Sequence, residues 1–445
     1  MQHKAMQDEL VMKTRSSQQG MALLILVFFL ALLAAGYVVQ KLSSTGIKNE
    51  RDKKTAEALM QAKTALLAFA AVQNLTPITC TTNCPRPGDL PCPDANNDGD
   101  AETSCGNAGG GTGQASRLGR LPWRTLGLPD LRDGDGERLW YGVSSRYKYN
   151  TRYRPLNSDT VATITLRDSS GNIIFNGSNN GLAAIVIAPS TNLTRQDGIS
   201  QVRNGANATI ASNYLDIAFG EDNQNFVDSG TNGFVMGPVK DVSGRTIVND
   251  QILTITRGEM NQAMETRVLA EVRNSLADYY LMAGFFPFSA SFNDTACLGS
   301  ANINGTNCPE SVLTNGRIPA NPATAWSSTS VLRGIRNGNW FQLNAWREVV
   351  YYAVAPACAT GTSNCDGADF LTLNNAWTLP LDAKQFILIA TGANLGGQVR
   401  VTDSNKSTEV NYLEDANLEP NPPDDVYLRT MPLTTSINDR AISLP

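Results

Sequence analysis

Six short segments of this 445-residue chain return in the same order further along, each shifted by 189 to 211 residues. GDLP at Gly88–Pro91 answers to GFFP at Gly284–Pro287, and GRLP at Gly119–Pro122 to GRIP at Gly316–Pro319. ERLWYGV at Glu137–Val143 aligns with EVVYYAV at Glu348–Val354, and AIVIA at Ala184–Ala188 with FILIA at Phe386–Ala390. NYLD at Asn213–Asp216 matches NYLE at Asn411–Glu414, and VND at Val248–Asp250 matches IND at Ile437–Asp439. Ordered pairs of this kind imply that one supersecondary plan is used twice. A helix is repeated as well. Met260, Met264, Val268, Val272, Leu276 and Tyr279 trace one face from Gly258 to Ala283, and Leu59, Ala62, Leu66, Phe69 and Gln73 do so before Asn74 and Pro77. AIVIA and FILIA are short and apolar enough to be buried strands. The expected fold class is α+β: two tandem related modules, residues 56–255 and 256–445, each a helix followed by an antiparallel sheet and long Gly-, Asn- and Ser-rich loops. Each helix is expected to cover its own sheet, because an amphipathic stripe needs an apolar surface.

Composition removes several classes of chemistry. The only histidine is His3, so no His base or His metal ligand is available in the body. That excludes Ser-His-Asp and Cys-His hydrolases and HExxH zinc enzymes, and the chain is not expected to be an enzyme. The net charge of −5 and the lack of a long basic tract beyond Lys48–Lys54 argue against a nucleic-acid partner. The eight cysteines fall in two clusters of four: Cys80, Cys84, Cys92 and Cys105, then Cys297, Cys308, Cys358 and Cys365. Clustered, even-numbered cysteines fit local disulfides formed in an oxidising compartment. The pairing expected is Cys92–Cys105, Cys297–Cys308 and Cys358–Cys365, with Cys80–Cys84 as the fourth. A four-cysteine zinc site in the first cluster is the rival, without the usual paired CxxC knuckles.

Residues Met21–Val39 read MALLILVFFLALLAAGYVV, with no charge. At ~1.5 Å per residue the run spans roughly 28 Å, the thickness of a bilayer core. A cleaved secretory signal has a shorter apolar region of about 7–15 residues, so a plain signal anchor is the simpler alternative. Continued as helix to about Asn74, the element would be roughly 80 Å long. Lys41, Lys48, Arg51, Lys53 and Lys54 outnumber Lys4, Lys13 and Arg15, a bias that alone would keep the body in the cytoplasm. The cysteines point the other way, and long domains translocate largely regardless of charge.

The residues upstream of the run are RSSQQG at Arg15–Gly20. A short polar leader closed by glycine at the membrane boundary resembles the class III leader of type IV prepilins and of type II secretion pseudopilins. The resemblance implies a leader over 1–20, cleavage between Gly20 and Met21 by a prepilin peptidase, and methylation of the new N-terminus. It implies a membrane helix with its extension over 21–55, and a body held periplasmic by a single inner-membrane span before entering a filament. Its implied partners are other pilins or pseudopilins, the inner-membrane assembly platform, the prepilin peptidase and the membrane. Most pilins place a glutamate fifth in the mature chain, where Ile25 stands here. Tip-located minor pseudopilins resemble this chain in lacking that acid, and a carboxylate in lipid needs a positive partner. The Asp133–Gly136 turn before an aromatic strand resembles the D-P-W-G-x-x-Y segment of pseudopilin heads. The reading is a minor pilin or pseudopilin that builds or caps a filament. The alternative is an inner-membrane-anchored periplasmic binding or adhesion protein outside any filament.

Asp94, Asn96, Asp98, Asp100 and Glu102 alternate oxygen-bearing side chains around Gly99, a pattern able to wrap a hard cation such as calcium. Cys105 stands where an EF-hand needs its bidentate glutamate, and the competing reading is a solvated turn closed by Cys92–Cys105. Calcium in the heads is also what the pseudopilin resemblance implies. GGGTGQ at Gly109–Gln114 lacks the Gly-Lys-Ser/Thr ending of a phosphate loop. Ser145-x-x-Lys148 has the spacing of penicillin-recognising enzymes but sits in a strand-like stretch. Trp140, Tyr141, Tyr147 and Tyr149, with Arg146 and Lys148, are either a stacking patch or a half-buried strand.

Overall fold

The computed structural model describes residues 45–72, 85–106, 117–225, 233–299, 307–333, 339–362, 365, 369–375, 381–418, 424–429 and 436–443. The leader, the Met21–Val39 run, Gly109–Gln114, Cys80 and Cys84 lie outside the described residues. Among the described residues no helix is long and apolar enough to cross a membrane. Residues Ala58–Pro445 form one compact unit. The fold is mixed α+β with several small sheets.

Helix α1 is described over residues 45–71. Ala58, Leu59, Ala62, Leu66 and Ala70 form its buried stripe, so Ala70 takes the place expected of Phe69. The strands that follow are β1 (Leu118–Arg120), β2 (Trp140–Val143), β3 (Thr165–Arg167), β4 (Ile173–Phe175), β5 (Leu182–Ala188), β6 (Ile217–Ala218), β7 (Glu221–Asp222), β8 (Gly233–Val235), β9 (Val239–Lys240), β10 (Thr246–Val248) and β11 (Gln251–Thr256). Helix α2 runs Arg257–Ala283. After it come β12 (Asn315–Arg317), short α3 (Trp340–Leu343) and α4 (Trp346–Val349), β13 (Val350–Val354), β14 (Leu371–Asn375), β15 (Leu381–Lys384), β16 (Phe386–Ala390), short α5 (Asp403–Lys406), β17 (Val426–Arg429) and β18 (Arg440–Ser443).

Two four-stranded antiparallel sheets dominate, ordered β1-β2-β5-β11 and β12-β13-β16-β18. Their registers correspond. Gly119 lies opposite Tyr141, which lies opposite Val186; Gly316 lies opposite Tyr352, which lies opposite Leu388. The ring hydroxyls repeat too: Tyr141 donates to the Pro91 carbonyl at 3.1 Å and Tyr352 to the Pro287 carbonyl at 2.9 Å. Each sheet has a three-stranded companion containing a parallel pair, β3 with β8 and β14 with β17.

The expected buried strands are buried throughout, and the two faces of β5 show why. Ala184, Val186 and Ala188 join the core that includes α1 and α2, whereas Leu182, Ile185 and Ile187 pack outward with Trp140, Tyr214 and Phe234. A strand covered on both faces reads as a continuous apolar run. The small alanines let the helices approach closely, while the isoleucines fill the wider outer layer.

Helix α2 begins with a capping box. Thr256 accepts from the Glu259 amide, Glu259 reaches back to the Thr256 amide at 2.9 Å, and Gly284 at φ 77° closes the far end. It does not cover only its own sheet: it packs against β16 and β18 and also against β5 and β11. That is why its buried surface is two rows wide. Met260, Met264, Val268, Val272 and Leu276 form one row, and Asn261, Glu265 and Leu269 the next. The strand expected over Glu137–Val143 starts only at Trp140. Asp133 Oδ1 turns the Glu137 amide into the preceding loop at 2.9 Å, and Arg138 is held by Asp130 at 2.9 Å. Disulfides join Cys92 to Cys105, Cys297 to Cys308 and Cys358 to Cys365, in the expected pairs.

Candidate functional site

The GR-[LI]-P segments place a glycine where two backbones meet and an arginine behind it. Arg120 exchanges backbone hydrogen bonds with Asp94, and Arg317 with Ala290. The Arg120 guanidinium lies over Trp140 and Tyr214 and donates to the Arg138 and Ala208 carbonyls. The Arg317 guanidinium lies over Phe292 and Tyr412 and donates to the carbonyls of Phe292, Arg347, Glu348 and Lys406. Burial pushes Arg120 down to about 10, and Arg317 below its ordinary value.

A polar knot follows in each half, built from the NYL-[DE] and [VI]-ND segments. In the first, Gln201 donates to Asp216 Oδ1 at 2.8 Å and Asp216 Oδ2 accepts the Asn249 amide at 2.7 Å. Asp250 Oδ2 accepts the Asp216 amide at 2.9 Å and Asn223 Nδ2 at 2.7 Å, and Asn223 Oδ1 accepts the Val235 amide of β8 at 2.8 Å. Arg203 closes the knot, donating to Gln201 Oε1 at 2.9 Å and to the Asn213 carbonyl at 2.9 Å, its guanidinium over Tyr214.

The second knot has the same wiring, with Glu414 in the place of Asp216. Gln398 donates to Glu414 Oε1 at 2.7 Å, and Glu414 Oε2 accepts the Asn438 amide at 3.1 Å. Asp439 Oδ2 accepts the Glu414 amide and Asn417 Nδ2, both at 3.1 Å, and Asn417 Oδ1 accepts the Leu428 amide of β17 at 2.7 Å. Arg400 donates to Gln398 Oε1 at 3.0 Å and lies over Tyr412. The sequence signal for the arginine and glutamine was present: QVR occurs at Gln201–Arg203 and again at Gln398–Arg400. Burial drives all four acids upward, Asp216 to about 6 and Asp250 and Asp439 well above the ordinary carboxylate range.

Polar contacts also join the two halves. Asn344 Oδ1 accepts Arg86 Nη1 at 2.6 Å and the Leu156 amide at 3.0 Å, and Arg400 pairs with Asp159 at 2.8 Å. Glu265 of α2 accepts Ser158 Oγ at 2.8 Å and faces Arg440 at 3.6 Å, and burial raises it to about 7.

Most of the candidate calcium residues accept hydrogen bonds from nearby backbone amides. Asp94 spends one oxygen on the Asn97 amide and the other on Gly99, at 2.6 and 2.7 Å. Asn96 accepts the Asp98 amide, Asp98 the Asp100 amide and Glu102 the Ala95 amide, while Asp100 faces Arg124 at 3.8 Å. Among the described residues no cluster of three His, Cys, Asp or Glu side chains is placed to hold a metal. Lys148 Nζ donates to the Gly106 and Thr151 carbonyls at 2.9 and 2.7 Å, and burial lowers it to about 8. Trp140, Tyr141 and Tyr147 are buried, so the aromatic patch is core. Comparison of the chain with protein-family models, with curated proteins and with solved structures finds no match.

Proposed function

We propose that the chain is a type IV pilin-like subunit, a minor pilin or pseudopilin that assembles into or caps a pilus or type II secretion-like filament. Its role on this reading is assembly rather than catalysis. The observation that carries the proposal is the leader ending at Gly20, followed at once by the charge-free Met21–Val39 run. The described helix at residues 45–71 supports it, since a spine that leaves the membrane should continue as an amphipathic element. The two sheets of matching order and register, with matching knots, support a second part of the proposal: the body consists of two tandem copies of one helix-plus-sheet module. On this account the second copy is a head fused behind the first, and the Asp159–Arg400 and Arg86–Asn344 contacts do the work of an interface between subunits. Ile25 favours a tip position, and it equally favours the second reading, an anchored periplasmic binding or adhesion protein.

Mass spectrometry of the mature N-terminus separates processing from plain anchoring. The expected result is a chain that begins at methylated Met21. An intact Met1, or a cut beyond Val39, removes the main support for the proposal.

A further inference from the structure

The two knots leave the same oxygen unmatched. Oδ1 of Asp250 and Oδ1 of Asp439 are both buried without a hydrogen-bond partner, although Oδ2 of each accepts two N–H groups. Each of these residues stands beside a second carboxyl, Asp216 or Glu414, through direct backbone contacts. The charge count is also the same. Arg203 is the cation facing the first pair, with Glu137 at 3.8 Å behind it; Arg400 faces the second and is itself paired with Asp159. Gln201, Asn223 and Asn249 around the first pair, and Gln398, Asn417 and Asn438 around the second, are neutral. Two buried carboxylates in the first knot, and buried Asp439 with half-buried Glu414 in the second, each share one facing guanidinium. Arg195, which donates to the Leu215 carbonyl beside Asp216, is taken up by Asp222 at 2.9 Å, so each pair carries more negative charge than its arginine offsets.

We propose that each acid pair, Asp216 with Asp250 and Glu414 with Asp439, holds one shared proton in the folded chain and so forms a pH-sensitive latch on the strand behind it. The latched strands follow directly: Asp250 immediately precedes β11 and Asp439 immediately precedes β18. Both are edge strands, each hydrogen-bonded to a neighbour on one side only, and β11 runs straight into α2. A proton on the buried oxygen neutralises it beside the neighbouring carboxylate. Its loss to solvent leaves two adjacent anions under the start of the edge strand, and that strand loosens.

The sign is fixed by the direction of the shifts. These carboxyls are raised in the folded chain above their unfolded values of about 4, so folding takes up protons. The stabilisation is complete below about pH 4 and is lost as pH rises through about 6 for Asp216 and beyond it for its partner. The folding equilibrium then weakens by up to about tenfold per pH unit for each proton that folding takes up.

The test uses the full chain in detergent, with infrared spectroscopy of the carboxyl stretch and thermal melts from pH 4 to 9. The expected spectrum keeps protonated carboxyl intensity at pH 7, and Asp250→Asn with Asp439→Asn removes most of it. The same double variant should melt with a flatter pH dependence than the parent and gain relative stability above pH 7. Glu265→Gln serves as the control, because it removes a raised, fully buried carboxyl outside the knots and should leave the knot signal in place. Carboxyls fully ionised by pH 5.5, or a double variant whose melting follows the parent slope, would overturn the proposal. Even if the double variant folds poorly, the infrared signal of Glu265→Gln decides the matter, because it lacks the contribution of that separate raised carboxyl.

Discussion

Gly316→Ala is expected to unfold the second half of the body at ordinary temperature, at a cost of about 4–5 kcal/mol. A Cβ at this position would sit 2.3 Å from the Ala290 carbonyl oxygen, a distance that only movement of the backbone can relieve. Moving it breaks the reciprocal Arg317–Ala290 hydrogen bonds, both 2.9 Å, and shifts the arginine that follows. The backbone itself, at φ 147°, also disfavours a side chain. Gly119→Ala tests the equivalent place in the first half, where the new atom would meet the Asp94 carbonyl at 2.7 Å. The first-half variant should lose less, because the approach is less severe. Gly205→Ala, with nothing within 4 Å, should be close to neutral. Denaturant unfolding of the three variants gives the ranking directly.

Arg317→Ala is the second large effect, about 3–5 kcal/mol. The guanidinium is fully buried and has no direct carboxylate partner among the described residues, so its own desolvation is a cost that its removal relieves. The carbonyls decide the balance. Four of them, at Phe292, Arg347, Glu348 and Lys406, lose a charge-assisted donor at 3.2, 2.9, 2.8 and 2.6 Å. Each buried acceptor left unmatched costs about 1–3 kcal/mol, and the alanine also empties the space between Phe292 and Tyr412. Arg317→Met refills that space and avoids the desolvation, so it should recover part of the loss. Equal losses for alanine and methionine would mean that packing contributes little and the hydrogen bonds nearly everything. A loss under about 1 kcal/mol for Arg317→Ala would show that the guanidinium is a tolerated passenger.

Much of the architecture was legible because it is written in strong local signals. The face of α2 was readable from Met260 to Tyr279, and AIVIA and FILIA were readable as buried strands, because continuous burial on two faces demands continuous apolar sequence. The disulfide pairs followed from short separations within each cluster. What covers α2 was not legible. An amphipathic stripe tells which residues are buried but not how many surfaces bury them, and the clue lay in Asn261 and Glu265, polar residues that look solvent-facing until Ser158 and Arg440 are brought to them. The parallel additions β3 with β8 and β14 with β17 were also silent, since strands of three to five residues joined across long loops carry little periodicity. The knots were half visible. Their acids lay in the matched segments, whereas Arg203 and Arg400 lay in a three-residue repeat too short to weigh without the fold. For the alternating carboxylates from Asp94 to Glu102 the spacing showed only that oxygens alternate; the hydrogen bonds they accept from their own backbone are set by the turn and were not legible.

The account's central claim is assembly with other pilin-like subunits, and crosslinking in living cells tests it most directly. Photo-reactive residues placed singly along Met21–Val39 should yield adducts in which this chain is joined to another pilin or pseudopilin, and sheared filament fractions should contain the chain. Deleting it should lower pilus number or secretion. No pilin adduct from any position, with the body instead bound to a surface ligand, would contradict the claim and leave the anchored adhesion protein as the reading.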